Sequence, residues 1–193
     1  MSGGRITRRG LAHSGLALSG MALTASTATA ANRPQPRQRP LAPEDRDAIE
    51  DLFSRYVWAY DCSDEAEFAS LFTADAVVVG KGTVYRGAEA IIGWLRYLTA
   101  MRDREGDDVW MHEAGQFRFV PTAPGTCLVY AYATHFSANS AKAQRGVRSL
   151  GYFTAECVRH AGEWRFRRFS ISPWDHSKVP WAKPLPWADT AGA

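Results

Sequence analysis

Residues 49–61 contain the pattern that most constrains the fold of this chain, because their apolar side chains recur at helical spacing. The apolar positions are Ile49, Leu52, Phe53, Tyr56, Val57 and Tyr60. This spacing predicts an amphipathic helix that is buried along one face. The stripe ends at Tyr60, and Asp61 follows directly. A buried phenol and a buried carboxylate each need a hydrogen-bond partner, so we expect other parts of the chain to supply partners.

The first half of the chain is predicted to be mainly helical. The helix that contains the stripe begins at Pro43, where a proline and the acids that follow it suit a helix N-terminus. The other elements predicted here are a helix over 65–72, short strands over 76–79 and 83–85, and a helix over 88–101.

Beyond residue 106 the helical period disappears, and apolar residues alternate with polar ones, which is typical of half-buried strands. The predicted strands cover 107–120, 126–137, 147–160 and 163–172. Helices followed by antiparallel strands indicate an α+β fold. We expect a curved sheet wrapped around the helices, with a cone-shaped interior too wide for side chains to fill at its open end.

The charge of the chain gives no reason to expect a nucleic acid or a membrane as the partner of the mature protein. The sequence has 23 Lys and Arg against 20 Asp and Glu, and Arg5, Arg8 and Arg9 are the only charged residues in the first thirty. The rest of the chain is therefore balanced and lacks the basic surplus that binds anionic polymers. Its length of 193 residues suits a single domain with one core.

Residues 1–30 resemble an export signal, which predicts a secreted or periplasmic protein. The three arginines precede a weakly apolar stretch over 11–23, and Ala28-Thr29-Ala30 forms a small-x-small cleavage site. Residues 7–11 are similar to a twin-arginine signal, which exports folded proteins. A general secretory signal and an uncleaved membrane anchor are the alternatives. Residues 31–42, which contain several prolines, are predicted to be a disordered leader.

The domain is predicted to end near residue 173, and residues 174–193 form a tail rich in tryptophan and proline. Its prolines exclude a long helix. We expect the tail to lie extended across domain 43–173, where its tryptophans cover the pocket mouth or a subunit interface. A loosely held tail is the alternative.

Three cysteines are too few and too scattered for a disulfide framework or a zinc site. A turn centred near Lys142 would place Cys127 opposite Cys157 on neighbouring strands. The sequence leaves open whether these two cysteines form a disulfide or carry free thiols.

Two histidines lie on predicted strands close to small or aromatic residues. His135 shares a strand face with Ala133, and His112 shares one with Trp110. A carboxylate such as that of Asp61 fixes the tautomer of an imidazole and raises its basicity, so the pair can move a proton. A tyrosine hydroxyl can polarise a carbonyl. Such groups suit proton abstraction next to a carbonyl, although a hydrogen-bonded core role is the alternative for either histidine.

Other catalytic signatures are missing from the sequence. It has no Gly-rich phosphate loop, no Gly-x-Ser-x-Gly elbow and no histidines at metal-ligand spacing. We therefore expect no metal at the site.

Residues 45–174 resemble the SnoaL-like branch of the NTF2-like superfamily. The resemblance rests on Arg55-Tyr56 to Tyr60-Asp61, the run LFTADA over 71–76, His112, Gly151-Tyr152 and the run GEWRF over 162–166. It implies a cone of three N-terminal helices packed on a curved, mostly antiparallel sheet that encloses a pocket. It also implies no cofactor, and a homodimer or homotrimer. The superfamily includes dehydratases, isomerases, polyketide cyclases, epoxide hydrolases and non-enzymes.

Within the superfamily, the catalytic pattern is most similar to that of the scytalone dehydratases. Their Tyr-Asp pair matches Tyr60-Asp61, their two pocket histidines match His112 and His135, and a further tyrosine corresponds to Tyr85. The Ser and Asn on the penultimate strand of those enzymes are replaced here, by Gly151 and Phe153. This departure leaves the identity of the substrate open, and with it the reaction.

We therefore expect a cofactor-free lyase or isomerase that acts by acid–base proton transfer on a small cyclic or aromatic carbonyl compound. By the resemblance, His112 moves the proton, Asp61 orients one of the two histidines, Tyr60 holds the carbonyl or a water, and His135 assists the leaving group. The residues expected to contact the substrate are Tyr85, Tyr56, Trp110, Ala133 and Phe153. The alternatives are a non-catalytic carrier or sensor of a small apolar ligand, and polyketide cyclase or epoxide hydrolase chemistry in the same pocket.

Overall fold

The computed structural model describes residues 40–190. The predicted export signal and all of the leader before residue 40 lie outside the described residues. Three helices precede most of the sheet: α1 (Pro43–Asp61), α2 (Glu65–Ser70) and α3 (Gly87–Glu105). The strands are β1 (Phe72–Gly80), β2 (Thr83–Arg86), β3 (Val109–Ala123), β4 (Thr126–Asn139), β5 (Gln144–His160) and β6 (Glu163–Pro173). Within residues 40–190, no helix is long and apolar enough to cross a membrane.

The strands form one sheet in the order β2-β1-β6-β5-β4-β3. The β1–β6 pair is parallel, and the other neighbouring pairs are antiparallel. The predicted α+β fold with a mostly antiparallel sheet is therefore confirmed.

Several predicted boundaries differ from those in the structure by one to four residues. Phe72, which was predicted to be helical, instead begins β1, because α2 ends at Ser70 and Phe72 pairs with Phe166 of β6. The predicted strand start at Asp107 is two residues early, since β3 begins at Val109. Helix α3 continues past the predicted end and stops at Gly106, whose left-handed conformation is common after a helix C-terminus.

The apolar stripe of α1 packs against one face of the sheet, which we call the inner face. Phe53 and Tyr56 lie within an aromatic cluster, where the Phe53 ring centroid is 5.0 Å from that of Phe166 and the Tyr56 centroid is 4.6 Å from that of Phe169. All four residues are almost completely buried. These rings fill the space between α1 and the middle of the sheet.

Strands β4 and β5 pair in the register that the turn near Lys142 predicted, and Cys127 lies opposite Cys157. Both cysteines are fully buried and carry free thiols. Burial raises the pKa of the Cys127 thiol to about 11, so this sulfur is held as an unreactive thiol.

The first part of the C-terminal tail, which includes Trp174 and Trp181, lies on the outer face of the sheet, opposite the helices. Tyr130 and Tyr132 point to this face, because they alternate along β4 with residues of the inner core. Trp174 meets the Tyr132 ring edge to face at 5.2 Å, and Trp181 meets the Tyr130 ring at 6.0 Å. Trp174 and Trp181 therefore do not cover the pocket mouth, whereas a role of the tail in a subunit interface stays a prediction.

Candidate active site

A cavity of about 320 Å³ opens between the C-terminal end of α1, helix α3 and the inner face of the sheet. Its apolar walls come from α3, β5 and β6, through Trp94, Leu98, Met101, Phe153 and Ile171. One end is polar and contains Tyr60, Trp110, His112 and His135. A mostly apolar cavity with a few converging polar groups is typical of a small-molecule site.

Asp61 holds His112 at two points. One carboxylate oxygen of Asp61 accepts a hydrogen bond from the backbone N–H of His112 at 2.7 Å, and the other lies 2.6 Å from Nδ1 of the imidazole ring. Both side chains are largely buried, with 13% of the Asp61 side chain and 8% of the His112 side chain exposed. A carboxylate in this position favours a proton on Nδ1, which leaves Nε2 as the nitrogen able to accept a proton.

His135 lies directly opposite His112 in the β3–β4 pair. The two imidazole rings stack with centroids 4.4 Å apart, and the Trp110 ring meets His135 at 4.2 Å. Burial first, and then the neighbouring His112 and Arg148, lower the pKa of His135 to about 4. His135 is therefore neutral near pH 7. Its Nε2 atom is buried and has no hydrogen-bond partner among residues 40–190, a state that a bound polar group would relieve.

Tyr60 completes the polar end of the cavity. Its ring centroid lies 4.5 Å from that of His112 and 6.4 Å from that of Trp110. Burial, followed by the charge of Asp61, raises the pKa of Tyr60 well above the usual value for a phenol. The hydroxyl therefore stays protonated and can donate a hydrogen bond.

The structure brings together all four predicted catalytic residues, since Tyr60, His112 and His135 line the cavity and Asp61 binds His112 from behind. Of the predicted substrate contacts, Tyr56, Trp110 and Phe153 also line it. The roles of these residues stay predictions, because their positions alone do not test them.

The other two predicted contacts, Tyr85 and Ala133, are not in the cavity wall. Tyr85 packs against Trp94, with ring centroids 5.9 Å apart, and it is Trp94 that lines the cavity. Ala133 is buried and pairs with Ala114 on one side and Gly151 on the other.

Sequence reasoning missed two cationic residues in the wall, Lys81 and Arg148. Arg148 forms ion pairs with Glu105 and with Asp107, the latter at 2.7 Å. Lys81 lies in the turn between β1 and β2. A turn has no hydrophobic period, so the sequence contained no signal that Lys81 would face a pocket. Arg148 lies on β5, where alternation alone does not show which residues are near the helices.

A family model described as the SnoaL-like domain matches residues 42–170. A stretch of 47 residues is 53% identical to "Terrestric acid biosynthesis cluster protein E" of Penicillium crustosum, and this match spans 24% of the chain and 30% of that relative.

Among solved structures, Aln2 from a Streptomyces species is similar with a TM-score of 0.61 and 24% identity, over 70% of this chain and 94% of that one. A proposed scytalone dehydratase from Novosphingobium aromaticivorans has a TM-score of 0.58 and 17% identity, over 68% of this chain and 85% of that one. At such identities the likeness concerns the fold alone. Because the family match covers well over half of the chain, and because the helices and sheet have the matching NTF2-like arrangement, this protein belongs to the SnoaL-like family.

Proposed function

We propose that the protein is a cofactor-free lyase or isomerase that moves a proton next to the carbonyl group of a small cyclic or aromatic compound. The observation that carries this proposal is the Asp61–His112 pair, joined at 2.6 Å at the polar end of an otherwise apolar cavity. A buried carboxylate that fixes the tautomer of an imidazole is the arrangement that a general base requires.

In a dehydration, Nε2 of His112 removes a proton from the carbon next to the carbonyl. The electrons of that C–H bond form a carbon–carbon double bond, and the hydroxyl group on the next carbon departs with the same proton, returned by the His112 imidazolium. Water is released and His112 is neutral again. Without a leaving group, return of the proton to a different carbon would move the double bond, which is an isomerisation.

Three neighbouring residues support this cycle. The protonated hydroxyl of Tyr60 can donate a hydrogen bond to the carbonyl oxygen as negative charge develops there. Asp61 stabilises the imidazolium that forms on His112. With a pKa of about 4, His135 is neutral near pH 7, so it assists the departing hydroxyl as a hydrogen-bond donor and not as a cationic acid.

The relatives favour the same class of chemistry by analogy. One is named for a biosynthesis cluster, and one is a proposed dehydratase. Family membership alone does not select a reaction, since one fold hosts many activities, and the assignment therefore depends on the site.

The proposal is tested with 3-hydroxy-1-tetralone, a cyclic β-hydroxyketone that yields fluorescent 1-naphthol when it loses water. We expect the wild-type protein to accelerate this loss, and His112→Ala to reduce the rate by about 100-fold or more. His160→Ala removes an exposed histidine at the end of β5 and serves as the control, which should retain the wild-type rate.

The outcome separates the candidate functions. Exchange of the C2 proton with deuterated solvent, without loss of water, would favour an isomerase. If the wild-type protein binds the compound but neither exchanges its proton nor dehydrates it, the lyase and isomerase proposal is wrong and the carrier becomes the better interpretation.

We also propose that the protein acts outside the cytoplasm, which rests on the signal-like composition of residues 1–30. Cell fractionation of the full-length chain should find it in the exported fraction. If the twin-arginine route is used, replacing Arg8 and Arg9 with lysine should retain it in the cytoplasm. Unchanged export would point to the general secretory route.

A further inference from the structure

Lys81 lies in the cavity wall, at the end away from the histidines, and gives this end a positive charge. We propose that the substrate carries a carboxylate or a similar anionic oxygen group remote from its reacting carbon, and that Lys81 binds this group. The inference deepens the proposed function and rests on it for the identity of the reacting end.

The positions of the strands place the two ends of the cavity far apart. Lys81 follows β1, whereas His112 and His135 lie on β3 and β4 near the opposite edge of the sheet. β6 and β5 lie between β1 and β4, so the separation is three strand spacings, or roughly 14 Å along a flat sheet. Curvature and the length of a lysine side chain shorten this span. One small cyclic molecule can therefore contact both ends.

Away from the histidines and Lys81, the cavity wall is mainly apolar, with Ser149 and the Arg148–Glu105 ion pair as its polar members. Trp94 and Leu98 come from α3, and Phe153 and Ile171 come from neighbouring strands of the sheet. Such walls accept a ring system but offer nothing to a charged substituent. An anionic substituent can therefore be accommodated only beside a polar or charged residue of the wall, and Arg148 is already paired with Glu105.

The turn that carries Lys81 is held closely against α3. A Cβ atom added to Gly80 would lie 3.0 Å from Nε1 of Trp94, so the backbone before Lys81 is in tight contact with the helix. The Nζ atom of Lys81 lies 3.7 Å from the sulfur of Met101, which is also in the cavity wall. The lysine thus points along the rim of the cavity.

The charges of the wall distinguish Lys81 from Arg148. Arg148 already pairs with Glu105 and Asp107, which compensate its charge. Among residues 40–190, the side-chain partner of Lys81 is the Met101 thioether, and no carboxylate lies within ion-pair distance of its Nζ atom. A thioether is a weak acceptor, so an anionic oxygen can displace it at little cost.

Electrostatics also determine the direction in which such a substrate binds. The Asp61 carboxylate is behind His112 at one end of the cavity, and the Lys81 ammonium is at the other. An anionic group would be repelled by Asp61 and attracted by Lys81, and like charges brought together carry a penalty that suppresses the wrong orientation. The carbonyl end is then directed towards Tyr60 and His112.

The test measures binding and not turnover, so that it stays separate from the proposed reaction. The probes are 2-naphthoate and 2-naphthamide, which match in shape and differ in charge. We expect the wild-type protein to bind 2-naphthoate roughly fivefold more tightly, as suits one partly exposed charge pair. Lys81→Met should abolish the preference, and Lys81→Arg should retain it.

A matched control completes the design. Lys178→Met removes a lysine of the C-terminal tail, outside this cavity, and should leave the preference unchanged. A wild-type protein that binds both probes equally, or that binds neither, overturns the inference, and so does a preference that survives in Lys81→Met. Failure of the dehydration assay with an intact preference would contradict the proposed reaction alone.

Discussion

Asp61 and His112 join the end of the first helix to the first long strand of the sheet. Asp61 is the last residue of α1, and its carboxylate contacts both the backbone and the ring of His112, which lies on β3. The position of the imidazole therefore depends on how α1 packs against the sheet. Any substitution that shifts this packing should disturb the proposed base without touching it.

Asp61→Asn tests the part of this contact that matters for proton transfer. The amide oxygen of the new residue can still accept the backbone N–H of His112, but its NH₂ group would then face Nδ1. The imidazole would move its proton to Nε2 and lose its function as a base. We expect the dehydration rate to fall by about 10²- to 10⁴-fold with little change in stability. Nitrogen NMR of labelled histidine should report the changed tautomer.

The control for this substitution is Asp51→Asn, which changes an exposed acid on the same helix. It should leave the rate and the tautomer of His112 unaltered. Full activity in Asp61→Asn would show that the carboxylate does not orient the base.

The lowered pKa of His135 determines how the stability of the folded protein should depend on pH. Its pKa falls from 6.5 to about 4 on folding, so between these values the unfolded chain binds a proton that the folded protein does not. Stability from this group is complete above the unfolded pKa and is lost as the pH falls towards the folded one. Near pH 5 the loss should be up to about 2 kcal/mol.

The measurement compares urea unfolding of the wild type with that of His135→Gln, near pH 7 and near pH 5. Other groups titrate in both proteins, so their contributions cancel in the difference. The wild type should lose more stability than the variant on acidification. An equal loss in both proteins would mean that His135 does not resist protonation.

Gly151 should not tolerate a side chain. A Cβ atom at this position would lie 2.3 Å from the backbone oxygen of Ser172 on β6. Gly151→Ala must therefore push two strands apart, and we expect a cost of about 2 kcal/mol or more in urea unfolding. Gly93→Ala is the matched control, because a Cβ there meets nothing within 4 Å and the site is inside α3. Gly93→Ala should raise the free energy of unfolding by about 0.5 to 1 kcal/mol. If Gly151→Ala were the more stable of the two variants, the close backbone contact at Gly151 would be contradicted.

The tail should contribute to stability and not to the cavity. Trp187 is 5% exposed, whereas Trp181 is 46% exposed and stacks with Arg118 at 4.3 Å. We expect Trp187→Ala to cost about 3 kcal/mol and Trp181→Ala about 1 kcal/mol or less. Binding of 2-naphthoate should be the same in both variants as in the wild type. A loss of affinity in either variant would place the tail at the cavity after all.

Much of the fold follows from local patterns in the sequence. The stripe from Ile49 to Tyr60 predicted α1, and the alternation after residue 106 predicted the four long strands. The register of Cys127 with Cys157 followed from the position of one turn. These features could be predicted because helical and strand periods are set by neighbouring residues.

The candidate site, too, could be predicted from the sequence only in part. Sequence reasoning selected Tyr60, Asp61, His112 and His135, partly from chemistry and partly from the family resemblance, and the structure brings them to one cavity. A strand has two faces, and the alternation of its side chains does not show which face packs against the helices. It was therefore the packing of α1 on the sheet that directed His112 and His135 inward.

Periodicity and spacing alone determined the helix, the strands and their register, since these depend on residues close together in the chain. Tertiary structure decided the features that depend on contacts between residues far apart in the chain. Tyr85 packs against Trp94, which lines the cavity, Trp174 lies on the outer face of the sheet, and the turn between β1 and β2 brings Lys81 to the cavity wall. The physical reason is that a side chain is buried by elements that are far from it in the sequence. A hydrophobic period shows only which side of its own helix or strand is apolar.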